Sequence, residues 1–88
     1  MDNEKCGDTR IVIMDEVLRE RHRQYSLWGD QSHHSYEWWN VIATDENGEV
    51  AREVYEKNPE KLFTELIQAC AVYFAWAEVV YRRNVNER

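Results

Sequence analysis

The stretch that decides the fold is residues 58–80, NPEKLFTELIQACAVYFAWAEVV. Its first two residues are typical of a helix start, because an Asn side chain can cap the first turn and proline fits the first helical position. Apolar residues then recur every three or four positions, which is the helical period. They form one main stripe: Leu62, Leu66, Ala69, Tyr73, Trp76 and Val80. We expect a helix that ends near Arg83 and, being apolar on most sides, lies centrally or at a subunit interface.

Two further helices are predicted upstream of this one. Apolar residues recur at helical spacing over residues 9–26 and again over residues 35–55. The segment between them, residues 27–34, is rich in turn-forming residues and is a natural place for a pocket wall. The connection to the third helix is short, so the second and third helices should pack antiparallel. The sequence therefore predicts an all-α fold, an antiparallel helical bundle of about three main helices per chain.

The length of 88 residues predicts one domain. We place it at residues 9–84, after a frayed N-terminus of residues 1–8 and before a C-terminal tail of residues 85–88. A chain of this length buries a small share of its surface. We therefore expect oligomerisation to complete the bundle.

Charge and composition narrow the partners and the compartment. The net charge is −6, from 17 acidic and 11 basic residues, and no Lys/Arg run is present, so no nucleic acid is expected as a partner. The uninterrupted apolar run, residues 69–77, is shorter than the ~20 residues of a membrane-spanning helix. Two cysteines make no disulfide framework, which is typical of a reducing compartment. We expect a cytoplasmic protein that does not enter the membrane.

Carboxylates interrupt the apolar stripes of the second and third helices. Glu46 and Glu49 lie one turn apart on the second helix, and Glu65 lies near the start of the third, where antiparallel packing can bring it opposite them. Buried carboxylates are costly unless they are paired, hydrogen-bonded or bound to a metal, so their convergence indicates a divalent-metal site. Gly48 costs the helix about 1 kcal/mol relative to Ala. That cost predicts the close approach of another backbone or a ligand.

The spacing of these carboxylates resembles a family signature. Glu46-x-x-Glu49 followed by Glu65-x-x-Gln68 is similar to the E-x-x-E, E-x-x-D motifs of the all-α MazG-like nucleoside triphosphate pyrophosphohydrolases, which are related to the dimeric dUTPases. Gln68 departs from the pattern, since it occupies the position of the last Asp. An amide oxygen is a weaker ligand than a carboxylate and cannot act as a base.

Two longer segments extend the resemblance. Residues 21–31, RHRQYSLWGDQ, resemble the R-Q-x-x-x-W-G-x-Q segment of small MazG-like proteins of bacteria and phages. Residues 65–76, ELIQACAVYFAW, resemble the third-helix pattern of the same proteins. The likeness covers residues 17–81. It implies a helical bundle whose active site forms in a homo-oligomer, a dimer or tetramer, and which hydrolyses a nucleoside triphosphate to monophosphate and pyrophosphate.

The resemblance also implies roles for particular residues. Glu46, Glu49 and Glu65 are expected to be catalytic and to hold Mg²⁺, or Mn²⁺ in its place, and Gln68 is expected to complete the metal site. Such an ion prefers oxygen ligands and can lower the pKa of a bound water. Either Asp45 or Glu53 could orient that water. The residues expected to contact the nucleotide are Trp28, Gln31, Lys57 and Lys61.

Alternatives to hydrolysis stay open at this point. The chain could be a relative that binds a nucleotide without cleaving it, as a sensor or a sequestering protein. It could also be a helical interaction module, in which the third helix docks a partner and the acidic residues only solvate a face. Trp28 is the best candidate to stack a base, although aromatic residues at helical spacing are more often part of a core. His33 and His34 lack metal-ligand spacing, and no role is assigned to them.

Overall fold

The computed structural model describes residues 3–86, with side chains from residue 7 to residue 85. Three helices make up this part of the chain: α1 (Asn3–Trp28), α2 (Tyr36–Tyr55) and α3 (Pro59–Asn86). No strand occurs between residues 3 and 86, so the predicted all-α class is confirmed. The described helices form a helical bundle.

The helix starts follow local capping. The side chain of Ser35 accepts a hydrogen bond from the backbone N–H of Trp38 at 3.1 Å, which caps α2. Asn58 Oδ1 accepts from the backbone N–H of Lys61 at 3.1 Å, directly before Pro59 opens α3. Both starts lie where the sequence predicts them, because a capping side chain and a proline act on the nearest turn alone.

The bounds of α1 differ from the prediction at both ends. The helix begins at Asn3 rather than near residue 9 and ends at Trp28 rather than residue 26. Residues 3–8 are polar but contain no proline, so nothing in them forces the helix to stop. The predicted frayed N-terminus, residues 1–8, and the predicted tail, residues 85–88, each extend outside the described residues.

The helix α3 is shared between the other two. It packs against α1 and against α2, whereas α1 and α2 make no direct helix–helix contact within residues 3–86. The buried core joins Trp39 and Ala43 of α2 to Val72, Ala75 and Val79 of α3. The fold therefore depends on α3 as its common element.

The face of α3 that packs inside the chain is not the predicted main stripe. The buried residues are Ile67, Ala71, Val72, Ala75 and Val79. In the predicted stripe, Leu66 and Tyr73 are exposed, at 43% and 52% of their surface. The periodicity could not choose between faces because α3 is apolar on most sides. The predicted stripe is therefore only partly covered, since Leu66 and Tyr73 are exposed while Trp76 is half-buried against the core.

The overall dimensions are large for the chain length. The radius of gyration is 15.0 Å and the extents are 46 × 32 × 21 Å. A compact chain of this length would have a radius of gyration of about 12 Å. Large apolar side chains lie exposed on all three helices, among them Met14 on α1, Trp38 on α2 and Tyr81 on α3. The three helices thus cover only part of their apolar surface with one another.

Over Pro59–Val85, α3 is also long and apolar enough to cross a membrane by length and composition. The helix is apolar enough on average, although its uninterrupted apolar run, residues 69–77, is short and a few charged residues interrupt the rest. The core helices of soluble proteins can be equally long and apolar, and α3 contacts both other helices.

Candidate functional site: an acidic helix interface beside an aromatic cavity

The interface between α2 and α3 changes character along its length. Near the start of α2 it is apolar and contains Trp39 and Ala43. Farther along it becomes acidic, and we call this part the acidic end; it comprises Glu46, Glu49 and Glu53 of α2 and Glu65 of α3. Successive turns of one helix thus supply first the core and then the carboxylates, because residues three and four apart share a face.

Three carboxylate oxygens at the acidic end are buried without a hydrogen-bond partner. They are Oε2 of Glu46, Oε1 of Glu53 and Oε2 of Glu65. Glu53 is only 5% exposed. A buried, unpaired carboxylate carries a desolvation cost that folding alone does not offset. The acidic end therefore contains three buried carboxylate oxygens that no hydrogen-bond donor of the described residues satisfies.

Burial and repulsion both act on these groups. Burial raises the pKa of Glu46, and the neighbouring carboxylates raise it further, Glu65 most and then Asp45. Burial likewise raises the pKa of Glu65, with added repulsion from Glu49 and Glu53 that Arg52 only partly opposes. Such mutual repulsion requires that the carboxylates lie close together. Glu65 thus acts electrostatically on Glu46, and Glu49 acts on Glu65, across the interface of α2 and α3.

The arginines nearest the acidic end already have partners. Arg52 pairs with Glu49 on the same helix. Arg23 on α1 pairs with Glu20, with contacts of 2.7 and 2.8 Å to its two carboxylate oxygens. Glu20 adds to the negative field, since it raises the pKa of both Glu46 and Glu65. Sequence reasoning missed Glu20, because nothing in its local spacing ties α1 to the other two helices.

Gln68, the position that departs from the MazG-like pattern, lies half-buried beside this cluster. Its backbone carbonyl accepts a hydrogen bond from Nε2 of the buried Gln24 at 3.3 Å. The same Nε2 atom donates to Glu20 at 3.0 Å. Gln24 therefore links α1 to α3 at the acidic end.

The donor set fits Mg²⁺ in kind. Carboxylate oxygens are the hard ligands that this ion prefers, and it commonly takes one or two of them together with waters and substrate phosphates. Within residues 3–86, no group of three or more His, Cys, Asp or Glu side chains is drawn together closely enough to hold an ion. The unpartnered oxygens of Glu46, Glu53 and Glu65 are nonetheless the atoms that such an ion would satisfy.

Within residues 3–86, no other backbone approaches Gly48, and such an approach is one of the two reasons predicted for a glycine there. A Cβ atom added at this position would meet nothing within 4 Å. The prediction of a close backbone approach is therefore wrong within the chain. Gly48 lies on the exposed side of α2, away from Glu46 and Glu49 on the interface side.

A cavity of about 310 Å³ adjoins the acidic end. Trp28, the last residue of α1, and Gln31, in the loop that follows, both line it, and both are predicted to contact a nucleotide. Trp38 and Trp39 add two further indole rings, and Glu46 lies in the cavity wall as well as at the acidic end. Volume and lining suit a small organic ligand with an aromatic part. Because Glu46 is shared, such a ligand would reach the carboxylates.

The cations of this cavity are arginines that the sequence analysis did not assign. Arg21 of α1 and Arg82 of α3 both line it. Arg21 Nε pairs with Glu78 Oε1 at 3.0 Å, and Arg82 contacts Glu78 Oε2 at 3.4 Å. Glu78 therefore holds two guanidinium groups at the wall. Arg21 and Glu78 are 57 positions apart, so local patterns carry no signal for the pairing.

The structure does not bring the two predicted lysines to the cavity. Lys57 and Lys61 are exposed at the junction of α2 and α3, and neither lines the cavity. Lys57 adopts a left-handed backbone with φ of 57°, which ends α2. Lys61 donates its backbone N–H to the Asn58 cap. The reading of these lysines as nucleotide contacts rested on their position near the junction, and the cavity lies elsewhere.

Comparison with known proteins finds no family model, no curated protein and no solved structure that matches this chain.

Proposed function

We propose that this chain is a Mg²⁺-dependent nucleotide pyrophosphohydrolase of the MazG-like kind. The observation that carries the proposal is the set of three buried, unpartnered carboxylate oxygens on Glu46, Glu53 and Glu65, beside a cavity lined by tryptophan and arginine. Mg²⁺ would satisfy the oxygens of Glu46 and Glu65 and the attacking water that of Glu53, while an aromatic base would lie against the indole rings. The proposed compartment is the cytoplasm, and nucleic acid and membrane are not proposed as partners.

The reaction would be an attack of water on the α-phosphorus. The new bond forms from the water oxygen to phosphorus, the bond between the α-phosphorus and the bridging oxygen breaks, and pyrophosphate leaves. Mg²⁺, when bound, supplies neutralisation of phosphate charge and a lower pKa for the attacking water. Glu46, Glu49 and Glu65 would hold it, with the Gln68 amide as a weaker ligand.

Glu53 is the better of the two candidates to accept the proton from that water. Its Oε1 atom is buried and has no partner, whereas Asp45 is exposed. Arg21 and Arg82, which also line the cavity, would contact the phosphates or the base.

We also propose an antiparallel bundle that works as a homo-oligomer, a dimer or tetramer. The antiparallel direction is supported by the connection of only residues 56–58, and by a core that joins Trp39, early in α2, to Val79, late in α3. Association is supported by the exposed apolar residues of α3, such as Leu66 and Tyr73, and by the large radius of gyration. A second copy would cover this surface and restrict the access of water to the site.

A nucleotide-binding role without hydrolysis is the second candidate. It is favoured by Gln68 in place of a carboxylate and by the lack, within residues 3–86, of a side-chain group already drawn together for a metal. In that case the cavity would take a nucleotide and magnesium together, and the α–β phosphate bond would stay intact.

The test of hydrolysis is a substrate panel. The purified protein is incubated with Mg²⁺ and each of the common ribonucleoside and deoxyribonucleoside triphosphates, and the release of pyrophosphate and monophosphate is followed. Glu65→Gln is the inactive variant, and Glu60→Gln is the matched control, because Glu60 is exposed on the same helix. The expected result is release in the wild type and in Glu60→Gln, with loss in Glu65→Gln.

Other outcomes of the panel would separate the candidates. Equal release from wild type and Glu65→Gln would point to a contaminating phosphatase and contradict the proposal. No release, combined with magnesium-dependent nucleotide binding by calorimetry, would favour the non-hydrolysing candidate. Neither release nor binding by the folded protein would leave the interaction module as the better reading.

A further inference from the structure

The side chain of Arg83, on α3, makes hydrogen bonds to the loop that follows α1. Nη2 of Arg83 donates to the backbone carbonyls of Ser32 and His34, each at 2.7 Å and both partly buried. The guanidinium group also lies 4.9 Å from the centroid of the Tyr36 ring, at the start of α2. Hydrogen bonds from a charged donor are stronger than neutral ones. Arg83 thus joins the end of α3 to both sides of the loop's last turn.

The loop's own hydrogen bonds are short-range. The N–H of Gly29, whose φ is +71°, donates to the carbonyl of Tyr25 and ends α1. Asp30 accepts from the N–H of Ser32, and His34 donates to the carbonyl of Gln31. These bonds shape the turn, but they do not fix its distance from α3. The two bonds from Arg83 tie the turn directly to α3.

The loop that Arg83 contacts forms one wall of the cavity. This wall consists of Trp28, at the end of α1, and of Gly29, Asp30, Gln31 and Ser32 in the loop. Arg83 itself does not line the cavity, although its neighbour Arg82 does. Any effect of Arg83 on a ligand must therefore pass through the loop.

We propose that Arg83 is a positioning residue that holds Gln31, in the loop, in place for the nucleotide beside Trp28 at the end of α1, an inference that rests on the proposed function. With the bonds intact, the wall is already ordered and binding does not have to order it. Without them, the loop samples other positions, and the affinity falls in proportion to the lost population of the binding-competent form. The carboxylates are carried by α2 and α3, so the chemical step should be spared.

The experiment compares Arg83→Gln, Arg83→Lys and a control. Arg19→Gln is the control, since Arg19 is exposed on α1 and pairs only with Asp15, at 2.8 Å. Hydrogen exchange at the amides of residues 29–34 reports on the loop without any ligand. Kinetics with Mg²⁺ and the best triphosphate of the panel then separate KM from kcat.

In Arg83→Gln we expect faster exchange in residues 29–34 alone and a rise in KM of about tenfold, with kcat changed by less than about twofold. Arg83→Lys should lie between this variant and the wild type, because an ammonium group keeps the charge but not the planar fork. Arg19→Gln should match the wild type in both measurements.

Three results would overturn the inference. The first is unchanged exchange in the loop of folded Arg83→Gln. The second is faster exchange along all three helices, which would mean a general loss of stability. The third is a fall in kcat with KM unchanged. If the wild type shows no turnover, the proposed function fails on that result alone, while the exchange data still decide whether Arg83 holds the loop.

Discussion

Glu65 on α3 raises the pKa of Glu46 on α2 across the helix interface, and the buried Oε2 atom of each has no hydrogen-bond partner. Burial and neighbouring carboxylates disfavour the ionised form of both groups, with Glu49 and Glu53 acting on Glu65. The folded chain therefore carries a local electrostatic cost near neutral pH. Either a proton or a cation can relieve that cost, and the first two predictions separate these routes.

The first prediction concerns pH. Because the pKa values of Glu46 and Glu65 are raised on folding, the folded state binds protons more tightly than the unfolded state. Their ionisation thus lowers the free energy of unfolding as pH rises from the ordinary range of glutamate through the raised values. Urea unfolding in EDTA should show higher stability near about pH 5 than near about pH 8. A profile that rises over this interval would contradict the assignment.

The second prediction concerns magnesium and Glu46→Gln. Removing one charge from the pair should raise the melting temperature at neutral pH in EDTA, while MgCl₂ should stabilise the variant less than the wild type. For the wild type, an ion at a hundredfold excess over Kd would add about 2.7 kcal/mol to the free energy of unfolding. NaCl at equal ionic strength controls for screening, and Glu37→Gln, exposed at the start of the same helix, is the matched variant.

The second prediction has a clear negative outcome. If magnesium stabilised wild type and Glu46→Gln equally, Glu46 would not be a ligand. If NaCl reproduced the whole effect, the acidic end would respond only to ionic strength.

The third prediction concerns the indole of Trp28, which lines the cavity and is 59% exposed. Trp28→Ala should weaken nucleotide binding by about 1–3 kcal/mol, the usual contribution of base stacking on an aromatic side chain. Its effect on stability should be small, because so much of the ring is in water. Calorimetric titration with Mg²⁺ and nucleotide measures this. Tyr55→Ala is the control, at an exposed aromatic residue outside the cavity, and equal affinities of the two variants would count against stacking at Trp28.

The fourth prediction concerns self-association through α3. The exposed Tyr73 stacks on the half-buried Trp76, with ring centroids 6.2 Å apart. Tyr73→Lys should shift the protein to monomer, because a charge at the centre of an apolar interface must be desolvated. Sedimentation velocity measures the assembly, with Tyr55→Lys as a control on α2. A wild type that sediments as a monomer at micromolar concentration would refute this prediction.

Local chemistry made the starts of α2 and α3 readable from the sequence, although not the bounds of α1. Ser35 and Asn58 each act on the first turn that follows them, so the starts of α2 and α3 need no knowledge of the rest of the fold. The carboxylates Glu46 and Glu65 were also readable, since charges within an apolar stripe stand out at helical spacing.

Long-range pairing was not readable in the same way. The hydrogen bond from Arg83 to Ser32 joins residues 51 positions apart, and the ion pair of Arg21 with Glu78 joins residues 57 positions apart. Nothing in the sequence near either residue specifies its partner. The buried face of α3 was missed for a related reason, because helices nearly apolar all round can present more than one face to a neighbour.

The position of α3 between two helices that do not touch has a consequence for how the sequence can vary. Substitutions at Ala71 or Ala75 must be accommodated by packed neighbours, while those on the exposed half of α1 meet mostly water. Tolerance to substitution should therefore be unequal along the chain. The exposed positions of α1 can accept many single substitutions, whereas the buried positions of α3 can change only together with the residues packed against them.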